Sequence, residues 1–347
     1  MRCNSRNHSE VGVIVPVFNR AKTLVRTLPY VAAQSAPPQQ LVIVDDGSTD
    51  DSADAAEQWL SEHVPAFEWQ VIRAQHFGAA TARNLGLRAL RENPYVAFLD
   101  SDDHWPADFL ERTARLLREN PAAAASVDRR FLTSDGAVFR HDDCSALARD
   151  PIHWMFFHGA GIASCTLLRL DMVNQVGGWP DHLDFADDLK LFIDIAQRGA
   201  WLHSPGLPVE FDLGSAAECG EEGNLSRYCE GGDWRWVCVY EQIYQELCAR
   251  HVPVDRGKLQ EAIALMWNRA GKHLLALGQR SDAQNCFVKS IRWKPAQLRA
   301  WRRLALNAIL PRKVFSASRA ADRSPLPQSA SANPNNLVQA TANVLGD

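Results

Sequence analysis

The sequence predicts an α/β protein built around a mostly parallel sheet, and three observations lead to this prediction. Short apolar segments alternate with amphipathic segments over roughly the first 100 residues. The apolar segments are continuous, which is typical of parallel strands that helices cover on both faces. Two of them run directly into carboxylates, in VIVDDGSTD (42–50) and YVAFLDSDD (95–103). Because such sheets bind ligands beyond the carboxyl ends of their strands, both acidic groups are expected to face one crevice.

The elements of the first third follow one another in strict alternation. The apolar runs predict strands at 11–18, 40–46, 68–74 and 95–100. The intervening periodicity predicts amphipathic helices at 19–34, 48–63 and 78–92. The second helix opens with Ser48 and Thr49, whose hydroxyl groups can cap its first turn.

The next part of the chain has a more mixed pattern. One helix is predicted at 106–119, with Pro106 at its first position, and another at 185–199, ended by Gly199. Strands or strand edges are predicted at 122–133 and 161–170. The segment 205–233 is rich in Gly, Asp, Glu and Ser, and is expected to be a long loop.

The pattern divides the chain into four parts. They are an N-terminal arm (1–9), a main domain (10–230), a helical region (231–312) and a tail expected to be disordered (313–347). Residues 265–306 have the spacing of a tetratricopeptide-type helical hairpin. Helices that pack on the main domain are the favoured reading, because a single hairpin of that type needs neighbours for stability.

Composition limits the function classes. Of the 347 residues 46% are hydrophobic and the net charge is −4, which does not favour broad binding to nucleic acid or anionic membranes. The sequence predicts neither a membrane-spanning helix nor a secretory signal, so a cytoplasmic protein is expected. The eight cysteines form no CxxC pair, which favours reduced thiols over a disulfide or zinc site. The segment 304–315 mixes apolar and basic residues, and it leaves peripheral contact with the inner membrane face open.

The carboxylates Asp100 and Asp102 are the first candidate site. Residues i and i+2 of an extended segment point the same way, so both can face one spot on either side of Ser101. Two hard oxygen donors suit Mg²⁺ or Mn²⁺ bridged to a diphosphate. A solvated turn with capping side chains is the alternative.

Five segments in this order and spacing resemble the family-2 glycosyltransferases with the GT-A fold. They are VIVPVFNR (13–20), VIVDDGSTD (42–50), GAATARNLGL (78–87), YVAFLDSDD (95–103) and VGGWP (176–180), followed by FADDLKLFIDIAQRG (185–199). The resemblance covers roughly residues 10–230. It implies a nucleotide-binding half (10–105), an acceptor half (106–230), and transfer of a sugar with inversion, usually with a divalent metal.

The resemblance also implies roles for the nucleotide-binding residues. The loop from Pro16 to Arg20 would line the nucleotide pocket, with Phe18 near the base. Asp45 would accept a hydrogen bond from the base, typically uracil, and Asp46 would support the turn. Capping of the next helix is the alternative for both acids.

The remaining donor-side residues follow in the same way. Gly78 and Arg83 would lie beside the nucleotide, together with Ser101, although Arg83 could also be a surface residue paired with an acid. Asp100 would sit near the ribose and the metal, and Asp102 would ligate the metal directly.

The acid pair Asp187–Asp188 is the candidate catalytic base. Asp188 precedes Leu191, Phe192 and Ile195 on one apolar helix face, so it is expected to point inward. The resemblance implies that this carboxylate takes the proton of the acceptor hydroxyl. The alternative is that both acids only stabilise the helix N-terminus.

The VGGWP segment would line the donor sugar. Gly177 and Gly178 have no Cβ, so their backbone can approach a ligand closely. Trp179 offers an apolar face on which a sugar could stack, and it could equally be a core residue.

The chain departs from the family after the helix at 185–199. Many relatives carry an Arg or His there that helps to hold the metal; here the segment 209–228 contains Arg227 and no histidine. The Gln-x-x-Arg-Trp signature of processive synthases is absent, which favours transfer of a single sugar. The expected activity is hexosyl transfer to a glycan or lipid-linked glycan in surface polysaccharide biosynthesis.

Two other function classes remain. A catalytically impaired nucleotide-sugar-binding or scaffold protein is consistent with the missing histidine. A nucleotidyltransferase ranks low, because the segment after the first strand lacks the glycines of a phosphate loop.

Overall fold

The structure, a computed structural model, describes residues 10–91, 93–133, 136–183, 185–212 and 234–309. The predicted arm at 1–9, most of the loop predicted at 205–233, Arg227 and the tail at 313–347 lie outside these residues.

The described residues form eleven strands. They are β1 (Val11–Val17), β2 (Gln40–Asp45), β3 (Glu68–Arg73), β4 (Tyr95–Phe98), β5 (Asp103–His104), β6 (Ala124–Ser126), β7 (Arg129–Leu132), β8 (Val138–Asp142), β9 (Thr166–Arg169), β10 (Trp201–His203) and β11 (Val209–Asp212).

The described residues also form eleven α-helices. They are α1 (Ala21–Ala32), α2 (Ser52–His63), α3 (Ala79–Ala89), α4 (Phe109–Glu119), α5 (Pro151–His158), α6 (Leu170–Gln175), α7 (Asp187–Ala196), α8 (Arg235–Ala249), α9 (Arg256–Ala276), α10 (Arg280–Trp293) and α11 (Leu298–Ile309).

In the described part of the chain, seven strands form the main sheet in the order β10-β6-β9-β4-β1-β2-β3. The neighbours β4, β1, β2 and β3 are parallel, whereas β9 runs antiparallel to both β4 and β6. Every residue of β1, β2 and β4 is buried, because helices cover both faces of these apolar strands. The predicted mostly parallel α/β fold is confirmed, and the four parallel strands end at one edge.

A smaller sheet, ordered β5-β11-β7-β8, stands beside this edge. Its strand β11 pairs with β5, and Phe211 lies opposite Asp103. The segment 205–233 was predicted to be a long loop, and this prediction is wrong for Val209–Asp212. The pairing brings the end of β11 next to the acidic segment that follows β4.

Three other boundaries differ from the prediction. The segment 122–133 divides into β6 and β7, which belong to different sheets, and only the last part of 161–170 is a strand. The helix predicted from Pro106 begins at Phe109, because Pro106 lies in a preceding turn whose carbonyl accepts the Phe109 N–H. The helix predicted from 48 begins at Ser52, because the residues before it form the turn after β2.

The helices α8–α11 pack around aromatic side chains. Trp267 and Trp293 both donate their indole N–H to Glu241, which joins α8 to α9 and α10. Tyr240 of α8 meets Phe156 of α5 edge to face, with ring centroids 5.4 Å apart. No helix of the described residues combines the length and the apolar character that crossing a bilayer requires.

Candidate active site

The turn after β2 carries the first pair of acids at the sheet edge. Asp45 Oδ1 accepts the Ser48 N–H at 3.2 Å and also the Ser48 hydroxyl. Asp46 accepts the N–H groups of Phe77 and Gly78, both at 2.9 Å, with Oδ1 and Oδ2 respectively. Burial raises the pKa of Asp46 even though these N–H groups favour its anion. Asp46 therefore fixes the loop that begins α3.

Phe18 and His76 form a stacked pair above this turn. Their ring centroids are 4.0 Å apart, and His76 Nδ1 lies 2.9 Å from Asp46 Oδ2. His76 was not among the predicted site residues. The signal was available, because His76 follows a predicted strand at the same sheet edge as the acids.

The segment after β4 places the carboxylates of Asp100 and Asp102 near each other, and Asp102 also lies near Asp212 at the end of β11. Arg20 Nη1 lies 3.4 Å from Asp102 Oδ2. Burial, then the charge of Asp100, raises the pKa of Asp102 to about 6, and the charge of Asp212 acts in the same direction. Ser101 is buried, and its carbonyl accepts the Thr27 hydroxyl at 3.0 Å. Asp212 was missed from the sequence, although it too ends a strand, because β11 lies in a segment predicted to be a loop.

Asp103 lies behind this group. Its side chain is 4% exposed and hydrogen-bonds to Ser164, whose hydroxyl also accepts the Asp100 N–H at 3.1 Å. Burial, with the charges of Asp102 and Asp100, raises the pKa of Asp103 well above its usual value. Asp103 therefore supports the acidic segment from within the core.

Arg83 connects this segment to the helix that carries the candidate base. Its Nη2 donates to Asp100 Oδ1 at 2.7 Å, and its Nη1 lies 3.7 Å from Asp187 Oδ2. Burial disfavours the guanidinium charge, but Asp100, Asp187 and Asp188 outweigh burial and raise the pKa of Arg83. Because Arg83 is only 8% exposed, the exposed surface position considered for it is wrong.

Asp188 is the second residue of α7 and lies on the face predicted to turn inward. Leu191, Phe192 and Ile195 of that face are all buried. Asp188 Oδ2 accepts the Gly161 N–H at 2.7 Å, and burial followed by the charge of Asp187 raises the pKa of Asp188 to about 6. Burial also raises the pKa of Asp187. The half-buried carboxylate thus combines a fixed orientation with an increased proton affinity.

A chain of contacts joins the three predicted groups. The Ser48 hydroxyl bonded to Asp45 also accepts the Asn19 N–H at 2.9 Å, next to Arg20. Arg20 reaches Asp102, and Arg83 joins Asp100 to α7. The structure therefore brings the β2 acids, the β4 acids and the α7 acids to one side of the sheet.

The family model for "Glycosyl transferase family 2" matches residues 12–168, which include the β2 and β4 acids and Arg83. These residues form a family 2 glycosyltransferase domain.

Known relatives agree with this glycosyltransferase assignment. Over 126 residues the chain is 36% identical to TuaG of Bacillus subtilis, named as a teichuronic acid biosynthesis glycosyltransferase. The match covers 36% of this chain and 49% of TuaG, so the chain spans about half the length of that relative.

Solved structures show the same GT-A fold. TarS 1–349 of S. aureus, in complex with UDP-GlcNAc, has a TM-score of 0.60 at 18% identity, covering 86% of this chain and 88% of that chain. Mannosyltransferase PcManGT of Pyrobaculum calidifontis, in complex with GDP-Man and Mn²⁺, has a TM-score of 0.52 at 19% identity. The match covers 86% of this chain and 79% of that chain.

Within the glycosyltransferase domain, Pro16 differs from its predicted setting. It was placed in a loop lining the nucleotide pocket, but it lies within β1, buried and opposite Val44. The strand continues to Val17, so the loop at the sheet edge begins with Phe18. The prediction of a lining position for Pro16 itself is therefore wrong.

The VGGWP segment packs against α3. Trp179 is 1% exposed and lies under the Arg83 guanidinium, whose carbon is 4.3 Å from the ring centre. The structure thus favours the core alternative for Trp179. Asn84 exchanges two hydrogen bonds of 2.8 Å with the Trp179 backbone. Gly177 and Gly178 have φ of 90° and 79° in the turn that ends α6.

The acids of the glycosyltransferase domain fit a hard divalent cation. Asp100 and Asp102 offer hard oxygen donors, and the charges of Asp100 and Asp212 both act on Asp102. Burial, followed by the repulsion from these charges, raises the pKa of Asp102, and a bound cation would relieve the repulsion.

A second group with metal-binding side chains occurs within the described residues. Oxygen or nitrogen atoms of Asp128, Asp143 and His203 lie within 4.8 Å of one another. Asp128 already accepts the Cys144 N–H at 2.9 Å and lies 2.8 Å from His203 Nε2. No disulfide joins the five described cysteines (Cys144, Cys165, Cys238, Cys248 and Cys286).

Proposed function

We propose that the chain is a metal-dependent inverting glycosyltransferase. It moves one sugar from a nucleotide-diphosphate-sugar to a hydroxyl of a glycan or lipid-linked glycan in surface polysaccharide biosynthesis. The contact of Arg83 with both Asp100 and Asp187 carries this proposal, because it sets the strand-end acids beside the acids of α7. A donor held at the strand-end acids presents its anomeric carbon to an acceptor hydroxyl activated by the acids of α7.

A UDP-sugar is the donor class best supported. Asp45 and the exposed edge of the Phe18–His76 stack offer a carboxylate and an aromatic surface to a pyrimidine base. TarS, which shares the fold, is described in complex with UDP-GlcNAc. The polysaccharide setting follows the role given in the name of TuaG.

The proposed reaction is a single displacement. Asp188 accepts the proton of the acceptor hydroxyl as its oxygen bonds to the anomeric carbon. The bond from that carbon to the diphosphate oxygen breaks, the nucleoside diphosphate leaves, and attack from the opposite side inverts the configuration. Asp102, with Asp100, would hold a Mn²⁺ or Mg²⁺ ion, which would neutralise the charge of the leaving diphosphate. Arg83 keeps Asp100 and Asp187 in place during the transfer.

A donor screen tests the proposal. The purified chain is incubated with UDP-, GDP- and dTDP-sugars, with Mn²⁺ or Mg²⁺, and with a panel of saccharide and lipid-linked acceptors. Release of the nucleoside diphosphate with a glycosylated product is expected for a UDP-sugar. Calorimetric donor binding without turnover over the whole panel would instead favour the impaired binding protein.

Peripheral contact with the cytoplasmic membrane face is a second part of the proposal. The helix α11 exposes Leu298 and Trp301, which are 79% and 50% exposed, beside the exposed Arg299 and Arg302. Apolar and basic side chains on one helix suit an anionic lipid surface. Sedimentation with phosphatidylserine vesicles is expected for the wild type, and loss of sedimentation for Leu298→Ser/Trp301→Ser. Equal sedimentation of both proteins contradicts this part.

A further inference from the structure

The segment between α5 and β9 holds the candidate base. Gly161 donates its backbone N–H to Asp188 Oδ2 at 2.7 Å. Gly161 has a φ of 26°, a conformation that side chains with a Cβ rarely adopt. The orientation of the Asp188 carboxylate therefore depends on where this backbone segment lies.

Arg129 of β7 holds the same segment from the other side. Its Nη1 donates to the carbonyls of Gly161 and Ala160, at 2.7 and 3.4 Å, and its Nη2 donates to the His158 carbonyl at 3.3 Å. Its Nε donates to Asp142 Oδ2 at 2.8 Å. One guanidinium thus engages three carbonyl groups of four consecutive residues.

The surroundings of Arg129 make this arrangement rigid. Arg129 is 2% exposed, and its guanidinium carbon lies 5.2 Å from the ring centre of Trp154, one turn before His158. A cation buried in this way is stable only while its hydrogen bonds are complete. Movement of the segment would leave Nη1 and Nη2 of this buried side chain without their carbonyl acceptors, so the segment is held where Gly161 donates to Asp188.

We propose that Arg129 is a positioning residue for the base: it clamps residues 158–161 so that the Gly161 N–H fixes the Asp188 carboxylate. The inference rests on the proposed function, because it assigns a reaction role to Asp188. It extends that function to a residue on the smaller sheet that does not contact Asp188 itself.

The hydrogen bonds of Arg129 to residues 158–161 also affect the proton affinity of Asp188. Asp188 is faced by Asp187 on its own helix, by Arg83 from α3, and by the N–H groups of Gly161 and Leu189. Among these, the Gly161 N–H is the group whose position Arg129 determines. Loss of this donor removes a hydrogen bond to the anion, so a loosened clamp raises the pKa of Asp188.

Hydrogen exchange tests the clamp without reference to activity. Arg129→Lys keeps the charge but cannot reach three carbonyls, and Arg130→Lys is the matched control, because Arg130 pairs with Glu210. Mass spectrometry of peptides spanning 158–161 is expected to show at least tenfold faster exchange in Arg129→Lys than in the wild type. Arg130→Lys is expected to leave this exchange unchanged.

The pH profile of kcat/KM tests whether loss of the Arg129 hydrogen bonds raises the pKa of Asp188. The acid limb of kcat/KM is expected to move up by about one pH unit in Arg129→Lys, since one hydrogen bond to a carboxylate changes its proton affinity about tenfold. A residue that only stabilises the fold would lower activity equally at all pH values.

The two proposals fail in different ways. A wild-type chain that transfers no sugar overturns the proposed function. Unchanged exchange at 158–161, or an unmoved acid limb, in Arg129→Lys overturns this inference. Should Arg129→Lys fail to fold, Asp142→Asn loosens the same guanidinium by weakening its Nε partner and is judged by the same two measurements.

Discussion

Arg83 donates a hydrogen bond of 2.7 Å to Asp100, and this contact spans the two halves of the site. Arg83 comes from a helix that follows β3, whereas Asp100 follows β4. A guanidinium that also reaches Asp187 compensates carboxylates from two elements, the segment after β4 and α7. The burial of the Arg83 guanidinium strengthens the contact, because this side chain is 10% exposed, although Asp100 is 38% exposed.

Replacement of Arg83 is expected to abolish most of the activity. Arg83→Met leaves Asp100 and Asp187 without their cation, which should lower kcat/KM by about 100-fold or more and destabilise the fold by about 1–3 kcal/mol. Steady-state kinetics and urea unfolding measure both effects. Arg88→Met is the control, because Arg88 is exposed on the same helix and should remain within about 0.5 kcal/mol of the wild type. Equal activity of the two variants would remove Arg83 from the site.

Two clusters of acidic side chains could bind the divalent cation, one at Asp102 and the other at Asp143. Asp102→Asn removes a hard ligand at the strand end and is expected to abolish Mn²⁺-dependent turnover, as is EDTA treatment of the wild type. Asp143→Asn alters the group with Asp128 and His203 and is expected to retain the metal response. Turnover as a function of Mn²⁺ concentration separates the groups. The reverse pattern would move the cation to the second group.

The sequence predicted the part of the site that local patterns encode. Apolar runs ending in acids located Asp45, Asp100 and Asp102 at strand ends, because strand direction and burial are readable from a continuous run. The helical spacing of Leu191, Phe192 and Ile195 also placed Asp188 on the inward face. These features need no knowledge of distant residues.

The sequence could not predict contacts made across the fold. The stacking of His76 on Phe18 joins residues after β3 and β1, and the hydrogen bonds of Arg129 to the 158–161 segment join the smaller sheet to α5. The sequence allowed Trp179 either to stack on a sugar or to lie in the core, and its packing under Arg83 favours the core position. The strand β11 was missed because it has only four residues and lies in a segment rich in Gly, Asp, Glu and Ser.

The acid limb of the pH profile follows from the Asp188 environment. The base acts only when ionised, and burial with the charge of Asp187 raises the pKa of Asp188 to about 6. Wild-type kcat/KM is therefore expected to fall about tenfold per pH unit below that pKa and to level off above it. Asp188→Asn is expected to reduce kcat by about 100- to 10,000-fold and to abolish this limb. An acid limb that persists in Asp188→Asn would assign it to another group.

The two glycines of the VGGWP segment differ in their surroundings. Both have positive φ, so an alanine at either position is expected to destabilise the fold by about 1–2 kcal/mol. A Cβ at Gly178 would also lie 2.6 Å from Asn84 Oδ1, whereas a Cβ at Gly177 would meet nothing within 4 Å.

Gly178→Ala is therefore expected to cost about 1–3 kcal/mol more than Gly177→Ala, because Asn84 must give up its hydrogen bonds to the Trp179 backbone. Urea unfolding of both variants measures the difference in the free energy of unfolding. Displacement of Trp179 would also loosen the support beneath Arg83, so Gly178→Ala should lower kcat/KM more than Gly177→Ala does. If Gly177→Ala impairs transfer more while unfolding like Gly178→Ala, Gly177 rather than Gly178 approaches the donor sugar.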